Sequence, residues 1–158
     1  METLLTTKGT KEEKYVLLLK QIKALTEKEY DTICAMANVA AMIQETFSFL
    51  WTGFYRVENE TTLILGPFQG PIACTRIKKG KGVCGTAWEK DKTMIVPDVE
   101  KFPGHIACSS LSKSEMVIPL RNADNKIIGV LDIDSEELNT FDNTDAHYLE
   151  EIARCIPV

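Results

Sequence analysis

Three of the five cysteines, Cys74, Cys84 and Cys108, fall in one Gly- and Pro-rich segment between Gly66 and Ser114, at separations of 10 and 24 residues. Thiols gathered this way have three readings. A zinc site calls for short paired spacings such as C-x2-C. None exists, although His105 stands three residues before Cys108 and four donors could be assembled. Inert burial is the second reading, since cysteine packs as a small hydrophobe. Redox chemistry is the third, and the flanking residues favour it. Cys84 lies in Gly82-Val83-Cys84-Gly85-Thr86-Ala87, a turn opening a short helix, where the helix dipole eases ionisation. Cys108 follows Phe102-Pro103-Gly104-His105-Ile106-Ala107, and the histidine would favour a thiolate.

The acids are the second chemical resource. Glu115 stands alone before the apolar run Met116-Val117-Ile118, and Asp132 and Asp134 alternate with Leu131 and Ile133. Alternation puts both aspartates on one face of a strand. That face is either solvated or purposeful. Aspartate is disfavoured in strands, so two in succession argue for a purpose. Trp51 and Tyr55 flank a short aromatic strand and read either as core packing or as the wall of a site.

These residues need a frame. Thr10-Lys11-Glu12-Glu13 is a capping box, and Val16, Leu19, Ile22 and Leu25 follow at helical spacing. A second helix is predicted from Asp31 to Ser48, with Ile33, Met36, Ala40, Ile43 and Phe47 on one face. Cys34 on this pattern and Cys155 on the last one read as packing residues. Strands are expected at Gly53–Val57 and Thr62–Leu65, with Asn59-Glu60 turning between them. The middle segment holds a short helix near Thr86–Lys90, a strand near Thr93–Val96, and Phe68, Trp88 and Phe102 in loops that could close over a small molecule. Such long irregular segments are usually functional or disordered, and this composition is not that of disorder. A hairpin of Met116–Leu120 and Ile127–Ile133 turns at Asn122-Ala123-Asp124-Asn125. Asp142 then caps a last helix, with Asp145 three positions on and Tyr148, Leu149, Ile152 and Ala153 as its apolar stripe. The order predicts an α+β domain, an antiparallel sheet flanked by N-terminal and C-terminal helices. One domain is expected across residues 1–158: helices in 1–48, sheet and site loops in 49–135, and a last helix in 142–156.

A formal net charge of −5, with no long basic run, argues against nucleic acid or an anionic membrane as partner. The basic knot of Arg76, Lys78, Lys79 and Lys81 reads as a solvated loop. Met1 to Lys14 is polar, and Tyr15–Leu19 is far shorter than the roughly 20 apolar residues of a span, so a cytoplasmic protein is expected. In that reducing compartment a structural disulfide frame is disfavoured, which returns attention to redox or metal roles for clustered thiols.

Leu65-Gly66-Pro67-Phe68-Gln69-Gly70 with Ala73-Cys74, then Gly82–Ala87, Phe102–Cys108, Ser114-Glu115 and Gly129–Ser135, resemble in order the motifs of the free methionine-(R)-sulfoxide reductase family. The likeness runs from about Phe49 to Glu151. It implies a GAF fold, a homodimer, and no metal or organic cofactor. By motif match Cys108 is implied as the attacking cysteine, with Cys74 and Cys84 as its redox partners. Cys74 is placed first, although the motif leaves their order open. Glu115, Asp132 and Asp134 are implied as the acidic pocket and Trp51 and Tyr55 as its apolar wall. The expected reaction is reduction of free methionine-(R)-sulfoxide through a sulfenic acid and an intramolecular disulfide, reopened by thioredoxin or a similar dithiol protein. A sulfoxide accepts a thiolate only as its oxygen is protonated, so a carboxylic acid must stand close, and Glu115 or Asp134 is expected to be that donor. The alternative is a GAF sensor binding a cyclic nucleotide or similar small molecule without catalysis, since fold alone does not decide activity.

Overall fold

The computed structural model describes residues 3–106 and 109–158; Cys108 lies outside the described residues. Two helices come first, α1 (Lys11–Thr26) and α2 (Thr32–Phe47). The strands β1 (Trp51–Asn59), β2 (Thr62–Gln69) and β3 (Arg76–Lys78) follow, then α3 (Gly82–Lys90) and β4 (Met94–Val96). A 3-10 turn, Val99–Lys101, leads toward β5 (Ser114–Arg121) and β6 (Ile127–Ser135), and α4 (Asn143–Ala153) closes the fold. The six strands lie in the order β3-β2-β1-β6-β5-β4, every neighbouring pair antiparallel. Among the described residues no helix is long and apolar enough to cross a membrane.

The sheet has a different core on each face. Phe54, Met116, Ile118, Leu120, Leu131 and Ile133 pack against α1, α2 and α4. Their neighbours in the alternation, Tyr55, Val117 and Val130, turn to the other face, under α3. Both faces of β5 are therefore covered, which is why its sequence reads as a continuous apolar run.

Caps decide where the helices begin. The Thr10 hydroxyl accepts from the Glu13 N–H while the Glu13 carboxylate accepts from the Thr10 N–H, and Asp142 and Asp145 make the same reciprocal pair at α4. Asp145 also accepts from the Tyr15 hydroxyl at 2.7 Å and from Lys11 Nζ at 2.6 Å, clamping α4 to α1.

Several expectations change. Ile22 is buried as expected, but its companions in the buried stripe of α1 are Tyr15 and Leu18, and Val16 is 53% exposed. The reason is the Tyr15–Asp145 contact, which turns Tyr15 inward. Ile33 and Cys34, in the first turn of α2, are exposed rather than packed, whereas Cys155 is partly buried against the main core just past α4. The basic run is not a simple solvated loop. Arg76 and Lys78 lie on the edge strand β3, where Arg76 pairs with Glu58 at 2.7 Å, and Lys79 sits 4.8 Å over the Trp88 ring. β2 runs on past Pro67 because the register shifts there, and a proline in a bulge withholds no ladder hydrogen bond.

Candidate active site

Sheet register assembles the acids. Glu115 on β5 stands directly opposite Asp134 on β6, and Asp134 is opposite Trp51 on β1. One step along the same face, Asp132 lies between Val117 and Gly53. Directly opposed residues place their side chains about 4.5–5.5 Å apart at Cβ. α3 is then laid over this face, and its Cys84 completes the group: Cys84, Glu115 and Asp132 each bring one donor atom within 4.8 Å of the others. That spacing suits shared protons, and a divalent cation would also fit it. α3 can approach so closely because residue 85 is glycine, where a Cβ would come within 2.3 Å of the Lys78 carbonyl oxygen.

The result is a cavity of about 600 Å3, counting its open mouth, within the usual range for a small-molecule site. Its polar floor is Glu115, Asp132, Asp134, Cys84, His105 and Ser112; Trp51, Tyr55, Ile72, Ile77, Val83 and Ile106 give it apolar sides. Trp51 is stacked between Tyr55 and Phe68, with centroid distances of 5.9 and 5.3 Å. Gly53 makes room for that stack, since a Cβ there would meet Phe68 Cβ at 2.3 Å and Trp51 Cη2 at 2.5 Å. The wall is tied to the β2–β3 connection: Trp51 Nε1 donates to the Pro71 carbonyl at 3.1 Å and the Tyr55 hydroxyl to the Cys74 carbonyl at 2.9 Å. Cys74 itself is disulfide-bonded, and Cys84 carries a free thiol.

Burial in one another's company sets the protonation of this group. Desolvation, followed by the carboxylates of Asp132 and Asp134, pushes Glu115 well above the usual carboxylate range. Desolvation and then Asp134 do the same to Asp132. Asp134 is pushed up to about 6 by desolvation, against which the Ser112 hydroxyl donates to its Oδ1 at 2.5 Å. A low-dielectric pocket disfavours three carboxylates together, so burial and mutual repulsion favour the protonated form of Glu115 and Asp132, while Asp134 ionises at about 6. The Cys84 thiol is likewise pushed well above its ordinary value by burial and then by Asp132 and Glu115. The expectation of an easily ionised Cys84 is therefore corrected. It does sit in the first turn of α3, but a helix dipole contributes only about 0.3–1 kcal/mol, less than desolvation beside acids. His105 is lowered by burial, and its Nε2 lies 3.7 Å from Glu115 Oε2.

Trp51, Tyr55, Cys84, Glu115, Asp132 and Asp134 all converge on this cavity, and Cys74 adjoins it through Tyr55. Phe68, Trp88 and Phe102 do not close over it. Phe68 packs behind Trp51 and Trp88 under Lys79, and none of the three lines the cavity. Ser112 and Gly53 were missed. Gly53 carried a signal, a glycine inside a strand pattern marking close approach. Ser112 carried none.

A GAF domain family model matches residues 31–156 of the chain. The chain is similar to a GAF domain-containing protein A of Dictyostelium discoideum, 60% identical and covering 98% of each chain. It is also similar to the free methionine-R-sulfoxide reductase of Saccharomyces cerevisiae, 44% identical over 92% of this chain and 85% of that one. Among solved structures, the free methionine-R-sulfoxide reductase of Neisseria meningitidis in complex with its substrate superposes with a TM-score of 0.95. It is 49% identical and covers 99% of this chain and 94% of that one.

Proposed function

The chain belongs to the free methionine-R-sulfoxide reductase family of GAF-domain proteins, and on that premise we propose that it reduces free methionine-(R)-sulfoxide to methionine, its own cysteines supplying the two electrons. The observation that carries the reading is a buried cluster of carboxyls beside thiol sulfur, open to a cavity of small-molecule size. In this reading the apolar side of Trp51 and Tyr55 receives the methyl and methylene groups. Asp134, the acid that ionises first, takes the substrate ammonium in a charge-assisted hydrogen bond. Glu115, protonated at neutral pH, gives its proton to the sulfoxide oxygen, and Asp132 shares both tasks.

Cys108 attacks the sulfur as the oxygen is protonated; methionine leaves and Cys108 becomes a sulfenic acid. A second thiol condenses with it, releasing water and forming a disulfide. Taken together, the sulfoxide gains two electrons and two protons, and two thiols lose them. Cys74 is proposed as that second thiol, with Cys84 behind it. What supports this order is that Cys74 is disulfide-bonded while Cys84 is a buried neutral thiol. An external dithiol protein such as thioredoxin reopens the disulfide by exchange in a cytoplasmic homodimer, and the step uses no metal or organic cofactor.

Methionine released from the free (R)-sulfoxide in a single turnover, without reductant, tests the reading. Reduced wild type should release about one methionine per chain, and Cys108→Ser none. No release by wild type would overturn the function, and release by Cys108→Ser would overturn the assignment of Cys108.

A further inference from the structure

We infer that the site reads the ammonium group of its substrate and leaves the charge of the carboxylate unread, so that sulfoxides with a free amine but an uncharged carboxamide, or with no carboxyl carbon, are also reduced. This rests on the reductase reading above and widens its substrate class to amine-bearing methyl sulfoxides.

The asymmetry lies in what faces the cavity. Three carboxyl side chains line it, Glu115, Asp132 and Asp134, and among the described residues that line it there is no Lys or Arg. Among those described residues the one basic group is the His105 imidazole, whose protonation burial disfavours. Lys81, next to the lining residue Gly82, is exposed and does not line the cavity. The acids also hold an unmet demand. Asp132 is 6% exposed, and among the described residues its Oδ1 has no hydrogen-bond partner. A buried acceptor in that condition is costly until a donor arrives, and an ammonium brings three.

A carboxylate entering the same cavity meets three acids and no Lys or Arg to pair with. The donors that can receive it are uncharged: the Ser109 and Ser112 hydroxyls line the cavity, as do Gly82, Val83 and Cys84 in the first turn of α3, whose N-cap Lys81 makes no side-chain cap. Such donors bind a neutral carbonyl as they bind a carboxylate. The charge itself adds only about twofold to fivefold at a helix N-terminus. The redox step is unchanged for these substrates, because it involves the sulfoxide group and two cysteine thiols alone.

The test compares kcat/KM of the enzyme, recycled by a dithiol, on four compounds of R configuration at sulfur. They are methionine sulfoxide, its α-carboxamide, its Nα-acetyl derivative and 3-(methylsulfinyl)propan-1-amine. The assay runs at about pH 6.5, where each amine is protonated. The carboxamide should fall within about fivefold of the free amino acid, and the decarboxylated amine within about tenfold. The acetyl derivative should lose at least about a hundredfold, since it removes the charge-assisted bonds and strands buried acids. A carboxamide that falls as far as the acetyl derivative would overturn the inference while leaving methionine sulfoxide reduction standing. So would an acetyl derivative reduced as well as the free form. Failure of methionine sulfoxide itself would remove the underlying reading and this one with it.

Discussion

Substituting Asn for Asp134 keeps the side chain's shape and an acceptor for the Ser112 hydroxyl, 2.5 Å away, but deletes the charge. The folded protein holds the Asp134 proton more tightly than an unfolded chain does, with the pKa raised from 3.8 to about 6. An acid whose pKa is raised on folding costs stability once it ionises. The penalty is absent below about pH 4, grows between about pH 4 and 6, and is complete above that. At 1.36 kcal/mol per unit it reaches about 2–3 kcal/mol at neutral pH. Asp134→Asn should therefore raise Tm by about 4–12 °C at pH 7.5, at about 2–4 °C per kcal/mol for a chain of this size. The gain should vanish near pH 4. Activity should move the other way. Loss of a charge-assisted partner for the ammonium, about 1.5–3 kcal/mol, lowers kcat/KM roughly 10- to 150-fold. The acidic limb of the pH–rate profile near pH 6 should disappear with it. Thermal unfolding followed by circular dichroism across pH, beside methionine-release kinetics, reads both effects. A variant no more stable than wild type at pH 7.5, or one whose gain persists unchanged at pH 4, would show that Asp134 is not ionised at a cost. An unmoved acidic limb would take the ammonium role from it.

Three further outcomes are expected. Asp145→Ala strands the buried Tyr15 hydroxyl, leaves Lys11 with Asp142 and the Thr140 carbonyl alone, and removes half of the α4 capping box. It should cost about 2–4 kcal/mol in urea unfolding, and a loss under about 1 kcal/mol would mean the α1–α4 clamp lies elsewhere. Gly53→Ala forces a methyl into the Trp51–Phe68 stack, so stability should fall by about 1–3 kcal/mol and KM should rise. Unchanged KM would separate those rings from the substrate wall. Alkylation mapped by mass spectrometry at about pH 7.5 should modify exposed Cys34 well before Cys84, which is 3% exposed and raised by burial beside Asp132 and Glu115. Faster labelling of Cys84 would contradict a neutral buried thiol.

Local rules carried the sequence reading where the deciding atoms lie within a few residues of one another. The Thr10–Glu13 and Asp142–Asp145 boxes, the turn at Asn122–Asn125 and the shared face of Asp132 and Asp134 are all of this kind. The motifs spread from Leu65 to Ser135 likewise marked the family, because they constrain residue type and order.

Tertiary structure decided what depends on residues far apart in the chain. Tyr15 turned the face of α1 through a partner 130 positions away, and the pairing of Arg76 on β3 with Glu58 on β1 changed the meaning of a basic run. Glu115 became an acid of the site through its register with Asp134, a pairing no spacing encodes. Cys84 shows the limit most clearly. Its place at a helix start is local and favours a thiolate, but desolvation by a folded sheet and two acids from β5 and β6 outweighs that preference and holds the proton on sulfur.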